Sequence, residues 1–126
     1  MINIPKILII DDSGFQRKII SDILKEEGYA VITSVNGMSG YTTALKESPD
    51  LIICDLLMPD LDGYEFLKKI RENGVAIPVI VLTSDIQHTT REICLDLGAV
   101  DVLNKPVRRT TLIPALQEVL RKRSRT

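Results

Sequence analysis

The chain has no tryptophan, one histidine and two cysteines among its 126 residues. Aromatic side chains make up only 4%. Tyr29, Tyr41 and Tyr64 are scattered, so they form no platform for stacking nucleic-acid bases. His88 is isolated from other ligand-type residues, which excludes a histidine metal centre and leaves it a surface position on a helix. Cys54 and Cys94 sit inside otherwise regular segments without CxxC spacing, so reduced, buried thiols are expected. Neither sign of charge is in excess: 16 Lys and Arg face 17 Asp and Glu, a formal net charge of −1. Charge therefore points to no nucleic-acid partner. No apolar run approaches the roughly 18 residues of a membrane span. Met1 to Lys6 leads into four apolar residues and two aspartates, without the apolar core and cleavage site of a secretory signal. A cytoplasmic protein with no membrane association is expected. There is no internal repeat, low-complexity stretch or linker, and the length suits one domain over residues 1–126.

Apolar content is 44% and charged content 26%, ordinary for a globular fold. The pattern alternates strands and helices. Short apolar runs predict strands at 6–10, 30–34, 51–54, 77–82 and 100–104, the second towards an edge. Helical spacing predicts helices over 15–27, 39–46, 63–72, 86–97 and 112–122. Their inward residues would be Phe15, Ile19, Ile20, Ile23 and Leu24; then Tyr41, Ala44 and Leu45; then Phe66, Leu67 and Ile70. Gly28, Pro49, Asn73-Gly74 and Gly98 supply the stops. Gln87 to Thr90 has poor helix propensity, which makes the fourth helix the weakest. Thr110 or Thr111 would cap the last helix, with Pro114 in its first turn. The basic tail over 122–126 is expected to fray. Five βα units imply a doubly wound parallel sheet with helices on both faces and right-handed crossovers.

In such a sheet, ligands bind at the carboxyl edge of the strands. That edge receives Asp11 and Asp12, Asp55, Thr83 and Lys105 from four apolar runs. Taken singly, each is an ordinary turn, cap or surface residue. Together they form an inventory. Crowded carboxylates repel one another unless a cation is present. A hard divalent ion such as Mg²⁺ takes oxygen ligands and phosphate oxygens. Lys105 adds a compact positive charge and Thr83 a hydroxyl donor. A carboxylate nucleophile, a metal platform, a cation and a hydroxyl suit phosphoryl transfer to Asp55. Asp60 and Asp62 would shape the following turn, Asp62 as a helix N-cap. Arg108, Arg109 and the terminal basic residues are read as solvated helix ends rather than a partner patch.

Four motifs carry a family resemblance: Ile-Leu-Ile-Ile-Asp11-Asp12-Ser, Cys-Asp55-Leu-Leu-Met58-Pro59-Asp-Leu-Asp62-Gly63, Leu-Thr83-Ser84 and Asn-Lys105-Pro106. In order, spacing and strand context the chain resembles the CheY-like response regulator receiver domain, over about residues 5–122. The resemblance implies a flavodoxin-like (βα)5 fold with strand order 2-1-3-4-5, an order of which CheY is itself a familiar example. It implies Asp55 as acceptor of a phosphoryl group from a histidine kinase's phosphohistidine or a small acyl phosphate. It implies Mg²⁺, or Mn²⁺, on Asp11, Asp12 and Asp55, with Asp12 the direct and Asp11 the water-mediated ligand, and the Leu57 backbone carbonyl completing the set. Thr83 and Lys105 would bind phosphoryl oxygens, and the small Ser84 would leave room for them. Leu57 and Asp85 would tune the lifetime of the phosphoryl group: Leu57 by shielding it from water, Asp85 by orienting a water or by repulsion. The chain would catalyse only its own phosphorylation and dephosphorylation, and is otherwise no enzyme. Partners would be a sensor histidine kinase or phosphotransfer protein, a downstream target or output domain, and a second copy on phosphorylation.

Three other functions compete. An aspartyl phosphatase wants a second aspartate two residues after its nucleophile, where this chain has Leu57. A flavin-binding protein wants a Ser/Thr/Gly-rich loop after the first strand, where this chain has two aspartates. An unphosphorylated protein-binding scaffold would not need the intact acidic set. One departure from the family matters. The position three before the lysine, where relatives often carry an aromatic rotamer switch, is Val102. A stiff aliphatic side chain does not swing between two sites, so the switch at Thr83 and Val102 should move mainly the loop after Thr83 and the start of the fourth helix. Structures with and without a phosphate analogue are expected to differ over residues 83–90; no displacement there would sink this routing.

Overall fold

The computed structural model describes residues 3–123. They alternate as β1 (Lys6–Ile10), α1 (Gly14–Glu26), β2 (Ala30–Ser34), α2 (Gly37–Glu47), β3 (Leu51–Asp55), α3 (Gly63–Glu72), β4 (Val79–Thr83), α4 (His88–Asp96), β5 (Asp101–Asn104) and α5 (Arg109–Arg123). The sheet is parallel in the order β2-β1-β3-β4-β5, as the resemblance implies.

Period-two alternation sends neighbouring strand residues to opposite faces. Ile7, Ile9, Leu51, Ile53, Ile80 and Leu82 pack with Ile20 and Leu24 of α1 and Leu112, Ile113 and Leu116 of α5. Leu8, Ile10, Ile52, Cys54, Val79 and Val81 pack with Ala44 of α2, Phe66, Leu67 and Ile70 of α3, and Cys94 of α4. Because both faces are covered, the strands read as unbroken apolar runs instead of an alternation. Cys54 and Cys94 are free and buried, as expected. Burial pushes both thiols up, Cys54 far above the ordinary range, which keeps them protonated and unreactive. Among the described residues, no helix is long and apolar enough to cross a membrane.

Several expectations are corrected. Phe15 does not face the core; it is 76% exposed. It lies five residues before Ile20, about 140° around the helix from the buried row. Leu45, next to the buried Ala44, is exposed as well. β4 begins at Val79 because Pro78 has no N–H to give the ladder, although its carbonyl still accepts from Ile52. α4 is shorter than expected, and Ile86 stands outside it, exposed. α5 starts before Thr110 and Thr111, which are therefore not caps: the Arg108 carbonyl accepts from Thr111 and Leu112. Pro114 consequently falls inside α5 rather than in its first turn. Thr110 and Pro114 are both exposed, so water can satisfy the carbonyl that Pro114 leaves unpaired. Lys122 and Arg123 belong to α5, where the Arg123 guanidinium donates to the Asp50 carbonyl at 2.6 Å. The rest of the expected basic tail, 124–126, lies outside the described residues.

Two glycines let helices press against the carboxyl edge. A Cβ on Gly63 would meet the Leu56 Cα at 2.8 Å and the Asp55 carbonyl oxygen at 3.1 Å. A Cβ on Gly37 would meet the Leu61 carbonyl oxygen at 2.3 Å, a backbone atom that cannot rotate away. Gly37→Ala should therefore force α2 from the 56–62 loop and cost roughly 1–3 kcal/mol. Urea unfolding measures this, and a midpoint equal to that of the parent would show that the loop yields freely.

Candidate functional site

The ladder register builds the site. Ile10 pairs with Cys54 and Asp55 pairs with Leu82, while Thr83 pairs with Asn104. Asp11, Asp55 and Thr83 thus leave their strands at nearly the same height. Ladder-type bonds continue past the strand ends: Asp11 N–H to the Ser34 carbonyl at 3.2 Å, Leu56 N–H to Leu82 at 2.9 Å and Lys105 N–H to Thr83 at 2.9 Å. These bonds fix the backbone beneath each polar side chain.

Asp11 is buried and tightly placed. Its Oδ1 accepts from the Ser13 N–H at 2.9 Å, and Ser13 in turn caps α1 by accepting from Gln16 N–H at 3.2 Å. The Arg17 guanidinium, one turn further on, donates to the Asp11 carbonyl at 2.7 Å. Asp55 is also buried, whereas Asp12 is exposed. One oxygen from each of Asp11, Asp12 and Asp55 lies within 4.8 Å of the others. Lys105 Nζ sits 2.9 Å from Asp55 Oδ1 and 3.9 Å from Asp11 Oδ2. The second distance is an electrostatic contact and not a hydrogen bond. Asp11 Oδ2 is buried and has no hydrogen-bond partner. Burial pushes the Asp11 carboxyl above its usual range; the Ser13 N–H opposes this, the Asp55 charge adds to it, Lys105 opposes and Asp12 adds again. An unsatisfied buried carboxylate oxygen among hard oxygen donors is the arrangement a hard divalent cation completes.

The other expected residues surround this cluster. Thr83 is buried, and its hydroxyl accepts from the Asp85 N–H at 3.0 Å. Ser84 is exposed beside it. Leu57 is 68% exposed at the mouth of the β3–α3 loop. Val102 is buried in the core and does not face solvent. The Asp85 carboxylate is engaged by its own loop, accepting from Gln87 N–H at 2.9 Å and from the Thr90 hydroxyl at 2.7 Å. Asp62 caps α3, accepting from Glu65 N–H at 2.9 Å. His88 is on the surface, 2.8 Å from Glu92. Arg109 is paired with Glu26 and Glu27.

Asp60 does more than shape a turn. Its two oxygens accept from the Gly37 N–H at 3.2 Å and the Met38 N–H at 3.0 Å, so it caps α2 from a distant loop. Slight burial pushes its carboxyl up, but hydrogen bonds from Met38, Leu61 and Gly37 outweigh that and hold it below the usual range. No local pattern signals a cap donated across 23 positions. Arg17 was legible in principle, one turn after the Ser13 cap; Thr90 and Asn104 gave no signal.

A five-stranded doubly wound fold with an acidic cluster and a lysine at its carboxyl edge defines a class of signalling domain. The family model for the response regulator receiver domain matches residues 7–117, and the chain belongs to that family, the receivers of two-component signal transduction. Protein PilH of Pseudomonas aeruginosa is 34% identical over 117 residues, covering 91% of this chain and 97% of PilH. The alkaline phosphatase synthesis transcriptional regulatory protein SphR of Synechococcus elongatus is 28% identical, covering 93% of this chain and 49% of SphR. The chain thus spans about half the length of several curated relatives and nearly all of PilH. The crystal structure of the chemotaxis protein CheY4 of Vibrio cholerae superposes with a TM-score of 0.87 at 33% identity, covering 93% of this chain and 99% of that one. Mg²⁺ binding is typical of the family, and the donor set here fits it.

The raised Asp11 pKa has a sign. A carboxyl whose folded pKa exceeds its unfolded one favours the fold while protonated, and that contribution is lost as pH rises through the folded pKa. Without divalent cations, Asp11→Asn is therefore expected to melt above the parent near neutral pH. The gap should close on acidification. Calorimetry in chelator checks it; a variant less stable than the parent at neutral pH would show that the crowded charge carries no strain.

Proposed function

We propose that this receiver is a switch driven by Mg²⁺-dependent (or Mn²⁺-dependent) phosphorylation of Asp55. The observation that carries it is the Asp11–Asp12–Asp55 oxygen cluster with Lys105 at 2.9 Å from Asp55. Asp11, Asp12, Asp55 and the Leu57 carbonyl would hold the ion, which when bound supplies positive charge against the three carboxylates and the incoming phosphoryl oxygens. An Asp55 carboxylate oxygen attacks phosphorus. The bond from phosphorus to the donor's imidazole nitrogen, or to an acyl oxygen, breaks, and the leaving group departs with the electron pair. Lys105, freed from its pairing with the bare carboxylate, then binds a phosphoryl oxygen. Thr83 offers its hydroxyl to another, and exposed Ser84 leaves space for the group. Catalysis here is placement and charge neutralisation rather than covalent help from further residues.

The product adds roughly 1.5–2 negative charges at one edge of the sheet. That charge draws on Thr83 and Lys105, and so on the surface of α4, β5 and α5, which would meet a downstream target, an output domain or a second copy. The donor is a sensor histidine kinase, a phosphotransfer protein or a small acyl phosphate. A cytoplasmic setting agrees with two free thiols. The chain would turn over only its own phosphoryl group.

With acetyl phosphate and Mg²⁺, the purified protein is expected to gain one phosphoryl group by intact mass. Asp55→Asn should gain none, chelator should abolish the gain, and Lys105→Ala should slow it about 100-fold. Equal labelling of the parent and Asp55→Asn would overturn the assignment.

A further inference from the structure

Val102 removes the usual aromatic reporter, so a different device must carry the state of Thr83 to α4. The loop between them holds one. Asp85 N–H donates to the Thr83 hydroxyl at 3.0 Å. The Asp85 carboxylate accepts from Gln87 N–H at 2.9 Å and from the hydroxyl of the buried Thr90 at 2.7 Å. The Asp85 carbonyl accepts from Asn104 Nδ2 at 3.3 Å, and Asn104 directly precedes Lys105. One residue is therefore bonded to the switch threonine, to the first turn of α4 and to the strand that delivers the lysine.

That first turn has little else to hold it. Its N-cap, Gln87, makes no side-chain cap bond. The opening backbone bond, Arg91 N–H to the Gln87 carbonyl, is 3.4 Å long. His88, Thr89 and Thr90 are poor helix formers. Further on, α4 is fastened to β5 by the Arg91 guanidinium, which donates to the Val102 carbonyl at 2.7 Å. A weak start, anchored beyond by Arg91, is an element that can loosen locally while the rest of the helix stays packed.

We infer that Asp85 is a positioning residue that latches the start of α4 to Thr83, so that movement of the Thr83 hydroxyl towards a phosphoryl group on Asp55 releases or re-seats the first turn of α4. This rests on the phosphorylation assigned to Asp55 above. It replaces the expectation that Asp85 acts on the phosphoryl group by orienting water or by charge. Both of its oxygens are already occupied within the loop, and hydrogen bonds from Thr90 and then Gln87 hold its carboxyl ionised below the usual range. The latch works through geometry: when the Thr83 hydroxyl moves away, the Asp85 N–H loses its acceptor, and the loop that seats the Asp85 carboxylate against the Gln87 N–H and the Thr90 hydroxyl can shift.

Amide hydrogen exchange over residues 83–96, with and without acetyl phosphate and Mg²⁺, reads the latch, and intact mass reads labelling in the same samples. In the parent, labelling should change exchange at the start of α4. Thr90→Val should label like the parent, yet exchange there roughly fivefold faster before labelling and show little further change after it. At matched labelling, Asp85→Ala should behave like Thr90→Val. Asp85→Asn should keep most of the response, because its carbonyl still accepts from Gln87 and its amide still reaches Thr90. A full response in Thr90→Val sinks the latch alone. So does a phosphoryl lifetime altered equally in Asp85→Ala and Asp85→Asn with the α4 response intact, which would return Asp85 to a role through charge. A parent that takes no phosphoryl group defeats the assignment of Asp55, and the latch with it.

Discussion

The structure depends on keeping like charges together at one edge of a sheet. Asp11 and Asp55 are buried side by side, Asp12 stands over them, and one lysine reaches in. Lys105 can make a close pair with only one of the buried carboxylates. It takes Asp55 and leaves Asp11 Oδ2 unpartnered. A fold that merely needed stability would not retain such a group, because a buried, unpaired polar atom costs about 1–3 kcal/mol. The imbalance fits a cation, which would supply the positive charge that the cluster lacks.

Everything around the cluster serves to keep it from relaxing. Asp11 is held from three sides by Ser34, Ser13 and Arg17. The β3–α3 loop is pressed close by the absent side chain of Gly63 and clipped to α2 by Asp60. Below the edge, two apolar layers cover the two faces of the sheet, so the strand ends cannot slide: a slip of one residue would turn Ile7, Ile9 and Ile53 to the wrong face. Rigidity of the sheet is thus what lets electrostatic tension persist at its rim.

The same logic explains what the sequence disclosed. Asp55 and Asp11 were legible because each ends a continuous apolar run, Lys105 because it follows a shorter strand pattern broken by Asp101, and parallel strands bring all such ends to one edge. Phe15 and Leu45 misled because spacing at i and i+4 fits two neighbouring rows of a helix, and only packing selects one. Pro114 misled because a proline inside a helix is tolerated when the carbonyl it abandons faces solvent. Asp60 was silent because its partners lie across a loop, not along it. Local chemistry is written in the chain, whereas bonds between loops emerge only once topology has set the loops side by side.

A charge added at Asp55 must also be felt elsewhere. A phosphoryl group shifts an equilibrium only through interactions that differ between the two states. Val102 offers little difference, since it is buried, β-branched and fixed among Cys94, Ala99 and Val81 in one core layer. Its carbonyl, however, anchors Arg91 of α4. The core side of α4 is therefore fixed by packing and by Arg91, while its first turn hangs on Asp85 and Thr90. In the proposed switch the differential arises where bonds can be exchanged at low cost, over the segment from Thr83 to Thr90. Valine at position 102 in place of an aromatic is compatible with a switch of this kind. In the proposed switch it leaves the response to the place where a weak helix start meets the Thr83 hydroxyl.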